Sequence, residues 1–172
     1  MLDIIINSLW LIFPAYCANV SPVLLKGRRP IDFGRNFVDG RRILGDGKTI
    51  RGFLGGTFFG FLAGLILVFA QNFLHIPHLI FGHTYLTAFL LSFGALLGDL
   101  IGSFIKRRFN LERGAEAPIL DQLDFLIISL ALLSIVSPIP LSWAIFLLIL
   151  TPIVHRESNV LGYILKLKKV PW

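Results

Sequence analysis

Residues 98–124 read GDLIGSFIKRRFNLERGAEAPILDQLD. The stretch leaves one apolar run, crosses a knot of cations and enters another apolar run. Asp99, Ser103 and Lys106 stand four and three residues apart, so on a helix they share one face. Asp121 and Asp124, three apart, share a face where the next helix begins. Lys106, Arg107, Arg108 and Arg113 lie between these acids. Carboxylates beside cations at a membrane surface suit a divalent metal and a phosphate-bearing substrate. The rest of the chain reads as the scaffold that holds this stretch.

At 172 residues the chain is one domain by length. It is 55% hydrophobic and 13% aromatic, with a mean hydropathy of +0.78, well outside soluble composition. A single cysteine, Cys17, permits no internal disulfide and no multi-cysteine zinc site. The N-terminus has Asp3 and no cation before its first apolar run, the opposite of a signal peptide, so that run is expected to stay as a membrane span. An all-α polytopic membrane protein with five transmembrane helices is therefore expected. The spans fall at about 4–25, 53–74, 84–105, 121–136 and 140–155, in a single membrane domain covering 1–172. The fifth apolar run is short, and the tail HRESNVLGYILKLKKVPW is amphipathic and basic enough to lie in the interface. Glycines 52, 56, 60 and 64 repeat every fourth residue, and so do 94, 98 and 102. Such ridges let membrane helices approach closely, so spans two and three are expected to pack together and aim Asp99 inward.

Charge decides the topology. All sixteen Lys and Arg fall in the 26–52 loop, the 106–120 loop or the tail. Five spans place those segments on one side, which the positive-inside rule makes the cytoplasm, with the N-terminus outside. The net charge of +6 then belongs to loops at a bilayer, and no nucleic-acid partner is expected. His75, His78 and His83 fall on the outer side and read as interfacial loop residues.

Two features exceed what topology requires. Asp99 lies about two helical turns inside the membrane from Lys106, where an ionisable group costs roughly 2.5–3.5 kcal/mol on insertion scales. An ion pair with Lys106 or an arginine would also explain it, and helix capping would also explain Asp121 and Asp124. The second feature is GDGKTIRG, residues 45–52. The backbone amides of Gly45 and Gly47, then Lys48, Thr49 and Arg51 ahead of a helix, suit a phosphate. A turn of topology-setting cations is the plainer reading. It is not a Walker A loop, because Arg42 stands where that pattern wants glycine, nor GxGxxG, because Ile50 stands at the last glycine. Asn19, in a span interrupted by Pro14 and Pro22, faces protein or a cavity, or serves backbone freed by Pro22. Metal, phosphate and lipid access together suggest phosphoryl or nucleotidyl transfer to a lipid. A small transporter or lipid-binding scaffold, with Asp99 as an ion or proton site, is the alternative. A CDP-alcohol phosphotransferase is excluded at its D-G-x-x-A-R signature, since Ile43 and Leu44 follow Asp39-Gly40-Arg41-Arg42.

Over essentially its whole length the chain resembles the archaeal CDP-archaeol synthase family, membrane relatives of bacterial CDP-diacylglycerol synthases. The resemblance rests on the Asn19–Pro22 region, GDGKTIRG, GDLIGSFIKRR, PILDQLDF and the C-terminal HRESNVLGYILKLKKVPW. The bacterial enzymes share only an S-x-x-K-R then D-x-x-D arrangement, here Ser103, Lys106, Arg107, Asp121 and Asp124. This chain is much shorter than those and has Ala117-Pro118-Ile119-Leu120 in place of a His-Gly-Gly element, which favours the archaeal branch. The resemblance implies that CTP and 2,3-di-O-geranylgeranylglycerol 1-phosphate give CDP-archaeol and pyrophosphate with Mg²⁺, at a site facing the cytoplasm. It implies metal-holding roles for Asp99, Asp121 and Asp124, and catalytic roles for Lys48, Lys106, Asp121 and Asp124. Asn19, Asp46, Gly47, Lys48, Thr49, Arg51, Ser103, Lys106 and Arg107 would hold the nucleotide and phosphates. His155, Arg156 and Asn159 of the tail would close the cytoplasmic side.

Overall fold

A computed structural model describes residues 1–74, 76, 78–111, 117–167 and 170. His75, Arg113, Lys168 and Lys169, which entered the charge and loop readings, lie outside the described residues. Five helices follow in order: α1 (Leu2–Leu25), α2 (Ile50–Phe73), α3 (Tyr85–Arg108), α4 (Pro118–Ser134) and α5 (Leu141–Ile164). No strand occurs among the described residues, although two isolated bridges, Pro30 with Thr49 and Asn36 with Arg42, tie the first loop together. α1, α2, α3 and α5 have 24 residues each and are long and apolar enough to cross a membrane. α4 has 17 residues, roughly 26 Å of helix, so five helices form as expected but only four have full spanning length.

The fifth helix runs on past the end of its apolar run: residues 155–164 continue α5 without a break to Ile164. The polar run His155-Arg156-Glu157-Ser158-Asn159 marked a boundary in hydropathy, but none of these residues stops a helix.

Both glycine ridges work, though not against each other. On α2, a methyl group at Gly56 would press on the Ala18 carbonyl and Leu96, and one at Gly60 on Ala18, the Pro14 carbonyl and Ser92. The α2 ridge therefore serves α1 and α3 together. The α3 ridge meets α4 instead. A methyl group at Gly98 would sit 2.7 Å from Cα of Phe125, and one at Gly94 would sit 2.8 Å from Cα of Ser129. Helical geometry explains the difference: Ala88, Ser92 and Leu96 form the stripe toward α2, and residues 94, 98 and 102 lie two positions on, about 200° around the axis. Ser129 fixes the α3–α4 register, its buried hydroxyl set to donate to the carbonyls of Leu91 (3.0 Å) and Phe125 (2.7 Å). A core of Leu11, Ile12, Leu91, Phe125, Leu126 and Leu147 fills the space between the helices.

One end of the bundle is laced shut. The buried Asn7 side chain accepts from the amides of Ile80 (2.7 Å) and Phe81 (2.8 Å) and donates to the carbonyls of Asp3 and His78. Gln71 pairs with both the amide and the carbonyl of His83 at 2.8 Å. His83 is 2% exposed and donates through Nε2 to the Trp10 carbonyl at 3.0 Å, so it is a buried strut rather than an interfacial residue. The described cations gather at the opposite end.

Replacing Gly98 by Val forces a branched side chain into the α4 backbone and is expected to destabilise the protein by about 1–3 kcal/mol or more. Gly82→Ala, where the added atom meets only Gln71 at 3.7 Å, should stay within about 0.5 kcal/mol. Thermal unfolding midpoints in detergent compare the two.

Candidate active site

The first loop is folded around an acid. Asp32 accepts from Arg42 Nη2 (2.8 Å) and Nε (3.3 Å) and from the amides of Gly34 (3.1 Å), Leu44 (3.0 Å) and Gly45 (2.9 Å). Burial alone would discourage its ionisation, but these hydrogen bonds outweigh that and hold the carboxyl well below the usual carboxylate range. Arg42 is held charged by Asp32 and by Asp46, whose Oδ1 lies 2.8 Å from Nη1. The Gly45 amide, expected to face a phosphate, is thus turned toward Asp32. Gly45 itself has φ +98°, a left-handed conformation that glycine takes readily, and its carbonyl receives the Lys48 amide in a tight turn.

A second fastening joins this loop to the end of α3. The Arg108 guanidinium lies 4.9 Å from the centroid of Phe37 and 4.7 Å from that of Phe104. It also donates to Asp39 (2.7 Å) and to the Arg42 carbonyl (2.5 Å), while Arg41 donates back to the Arg108 carbonyl. Cation–π contact with two rings and three hydrogen bonds fix the loop over the bundle.

Past this loop the chain enters α2 through Thr49, whose hydroxyl caps the helix by accepting the Gly52 amide at 3.1 Å. The neighbouring Lys48 reaches Asp99 on α3, Nζ to Oδ2 2.5 Å. Lys106 in turn reaches Asp121 at the start of α4, also 2.5 Å, and Asp121 takes the Ala117 amide with its other oxygen. Asp99 is therefore paired, but with a lysine from the first loop rather than with Lys106. Asp124 lies against Gly102, and its Oδ1 accepts the Phe125 amide at 2.6 Å.

Two cavities flank Lys48. The larger, about 310 Å³, is lined by Asn19, Gly47, Lys48, Thr49 and Asp99, with His155, Ser158 and Asn159 of α5 closing its far wall. The smaller, about 160 Å³, is lined by Leu44, Gly45, Gly47, Lys48, Ser103, Lys106 and Arg107. The site residues expected from the sequence mostly converge. Asp46 braces Arg42 with a side chain 61% exposed, and Arg51 and Arg156 are exposed on α2 and α5. His155 stacks on Phe125, ring centroids 6.3 Å apart.

Among the described residues no three acidic, histidine or cysteine side chains converge as a ready-made metal cage. Two of the acids are paired with lysines instead, Asp99 with Lys48 and Asp121 with Lys106. The donor chemistry still fits a hard divalent ion, because Mg²⁺ is commonly held by one or two carboxylates plus substrate phosphates rather than by protein alone.

The whole chain, residues 1–172, matches the CarS-like CDP-archaeol synthase family. It belongs to the CDP-archaeol synthases. A CDP-archaeol synthase from Thermococcus gammatolerans is 54% identical over 168 residues, covering 96% of this chain and 95% of the relative. One from Methanococcus maripaludis is 46% identical over 180 residues, covering 100% and 99%. A solved structure, described as an intramembrane enzyme for archaeal membrane lipid biosynthesis, superposes with a TM-score of 0.78 at 38% identity. It covers 90% of this chain and 94% of its own. The chain is thus a multi-pass membrane enzyme of the cytidylyltransferase type.

Sequence reasoning passed over Asp32, Arg42 and Arg108 as partners of the site. The signals were present: Asp32 stands two before Gly34, the spacing of an aspartate turn, and Phe104 stands one helical turn before Arg108. Lys106 and Asp121 are partly covered, 16% and 27% exposed, so their pair should be energetically coupled. A Lys106→Met, Asp121→Asn double-mutant cycle in thermal stability is expected to return a coupling of about 1–2 kcal/mol, and independent behaviour would show the pair to be incidental.

Proposed function

We propose that the protein joins CTP to 2,3-di-O-geranylgeranylglycerol 1-phosphate, forming CDP-archaeol and releasing pyrophosphate, at the cation-rich end of the bundle facing the cytoplasm. Membership of the CDP-archaeol synthases supports the reaction. The observation that carries the site is the pair of ion pairs, Lys48–Asp99 and Lys106–Asp121, bordering cavities that share Lys48.

The lipid phosphate is a monoester, already ionised near neutral pH, so it attacks the α-phosphorus without a strong general base. The new bond joins a lipid phosphate oxygen to the α-phosphorus, and the bond from that phosphorus to the β-phosphate bridging oxygen breaks. What the reaction needs is neutralisation of charge and alignment of the two phosphates. Of Asp99, Asp121 and Asp124, one or two would hold Mg²⁺ together with substrate phosphates. When bound, the ion supplies charge neutralisation on the triphosphate and a fixed point for its oxygens. Lys48 and Lys106, paired with carboxylates in this structure, would face the phosphates of the bound substrates, so each lysine has an anionic partner in either setting. Arg107 and Ser103 complete the phosphate-facing wall, and Gly47 lets that wall come close. Asn19 and Asn159 line the larger cavity at the foot of which Lys48 and Asp99 meet.

With purified protein, labelled CTP and the isoprenoid ether-lipid phosphate, CDP-lipid is expected with CTP but not with ATP, GTP or UTP, and EDTA should abolish it. Asp99→Asn and Asp121→Asn should lower turnover by about a hundredfold or more while the proteins remain folded. Full Mg²⁺-dependent turnover in those variants would overturn the metal assignment. Mg²⁺ should also tighten CTP binding in the absence of lipid, because occupancy of the acids frees the lysines.

A further inference from the structure

Asp32 has no access to any substrate. Its side chain is 0% exposed, and five donors already point at its carboxylate. What those donors do elsewhere is informative. Leu44 and Gly45, gripped by Asp32 through their amides, turn outward to line the smaller cavity together with Lys48, Lys106 and Arg107. The Gly45 carbonyl then receives the Lys48 amide at 3.2 Å, so the turn that presents Gly47 and Lys48 starts from an atom group held by Asp32. Arg42, the strongest partner of Asp32, offers its own carbonyl to Arg108 at 2.5 Å and its Nη1 to Asp46 at 2.8 Å. Residues 42–48 are therefore suspended between one buried acid and the end of α3.

We propose that Asp32 is a positioning residue for the nucleotide triphosphate: its carboxylate is the internal anion around which the phosphate loop is folded, and this sets the place of Gly47 and Lys48. The inference rests on the reading of residues 45–51 as a phosphate loop. The triphosphate is the phosphate concerned because the loop lies beyond the helix ends, on the side from which a water-soluble ligand arrives, and its cations match the greater charge of CTP. A carboxylate suits the role better than a neutral side chain. It accepts along several directions at once, and it neutralises Arg42, which would otherwise compete with Lys48 for the ligand.

The test compares Asp32→Asn, Arg42→Lys and Lys48→Ala in steady-state kinetics, with each substrate varied in turn and detergent thermal midpoints recorded. Asp32→Asn removes the charge and replaces an acceptor by a donor. It should raise KM for CTP about tenfold to a hundredfold while leaving KM for the lipid phosphate unchanged. Arg42→Lys keeps the charge but loses the two-pronged contact, and should move CTP KM in the same direction by a smaller factor. A lower thermal midpoint with both KM values unchanged, or equal rises for both substrates, would overturn the proposal and leave Asp32 a stability residue. If Asp32→Asn does not fold, Arg42→Lys decides by the same asymmetry. Lys48→Ala separates the premises. If it leaves CTP KM unchanged, the phosphate-loop reading fails; if it raises CTP KM while Asp32→Asn and Arg42→Lys do not, only the positioning role fails.

Discussion

Charge at the edge of an apolar bundle is costly unless something of opposite sign meets it at hydrogen-bond distance. That constraint shapes this protein more than any other. Asp99 and Asp121 are each met by a lysine at 2.5 Å, and the two lysines come from different segments, Lys48 from the first loop and Lys106 from the end of α3. To satisfy Asp99 the loop must fold back over the helices, and to hold it there the chain uses Arg108 against two aromatic rings. The geometry of the site follows from neutralising its own acids.

The apolar part of the bundle answers a different need. Between membrane helices, close approach replaces the hydrophobic effect as the source of association. Two glycine ridges provide it, one on α2 for α1 and α3, the other on α3 for α4. Because the α3 stripes lie nearly opposite each other, α3 packs between α2 and α4, and it also carries Asp99, Ser103 and Lys106. The opposite end is fixed by side-chain amides, with Asn7 and Gln71 each serving backbone groups of the 78–83 segment. A bundle laced at one end by neutral hydrogen bonds and charged at the other keeps its polar work in one place.

Much of this was legible in the sequence. Segregation of every cation to three segments announced the helices and their loops, because lipid forbids scattered charge. The gathering of Lys48, Asp99, Lys106 and Asp121 was legible because each is a costly residue near a span, and Ser103 followed from sharing a helical face with Asp99 and Lys106. Pairing was not. Asp99 and Lys106 lie two turns apart on one face, so local spacing favours a pair between them, whereas the actual partner arrives from 51 residues away. Asp32 was hidden for a related reason: in a loop rich in cations any acid reads as a neutraliser, and only the fold shows that its donors include three backbone amides. Hydropathy marks the edge of lipid, while a helix ends only where its backbone is interrupted, so the reach of α5 to Ile164 is not something the apolar run could tell.

The contact between Gly102 and Asp124 has a consequence for how such a sequence can change over time. A side chain at position 102 would need the volume that the Asp124 carboxylate occupies. The acid on α4 thus owes its present place to atoms that are missing from α3, and the two positions share one volume: enlarging residue 102 would require the Asp124 carboxylate to swing elsewhere.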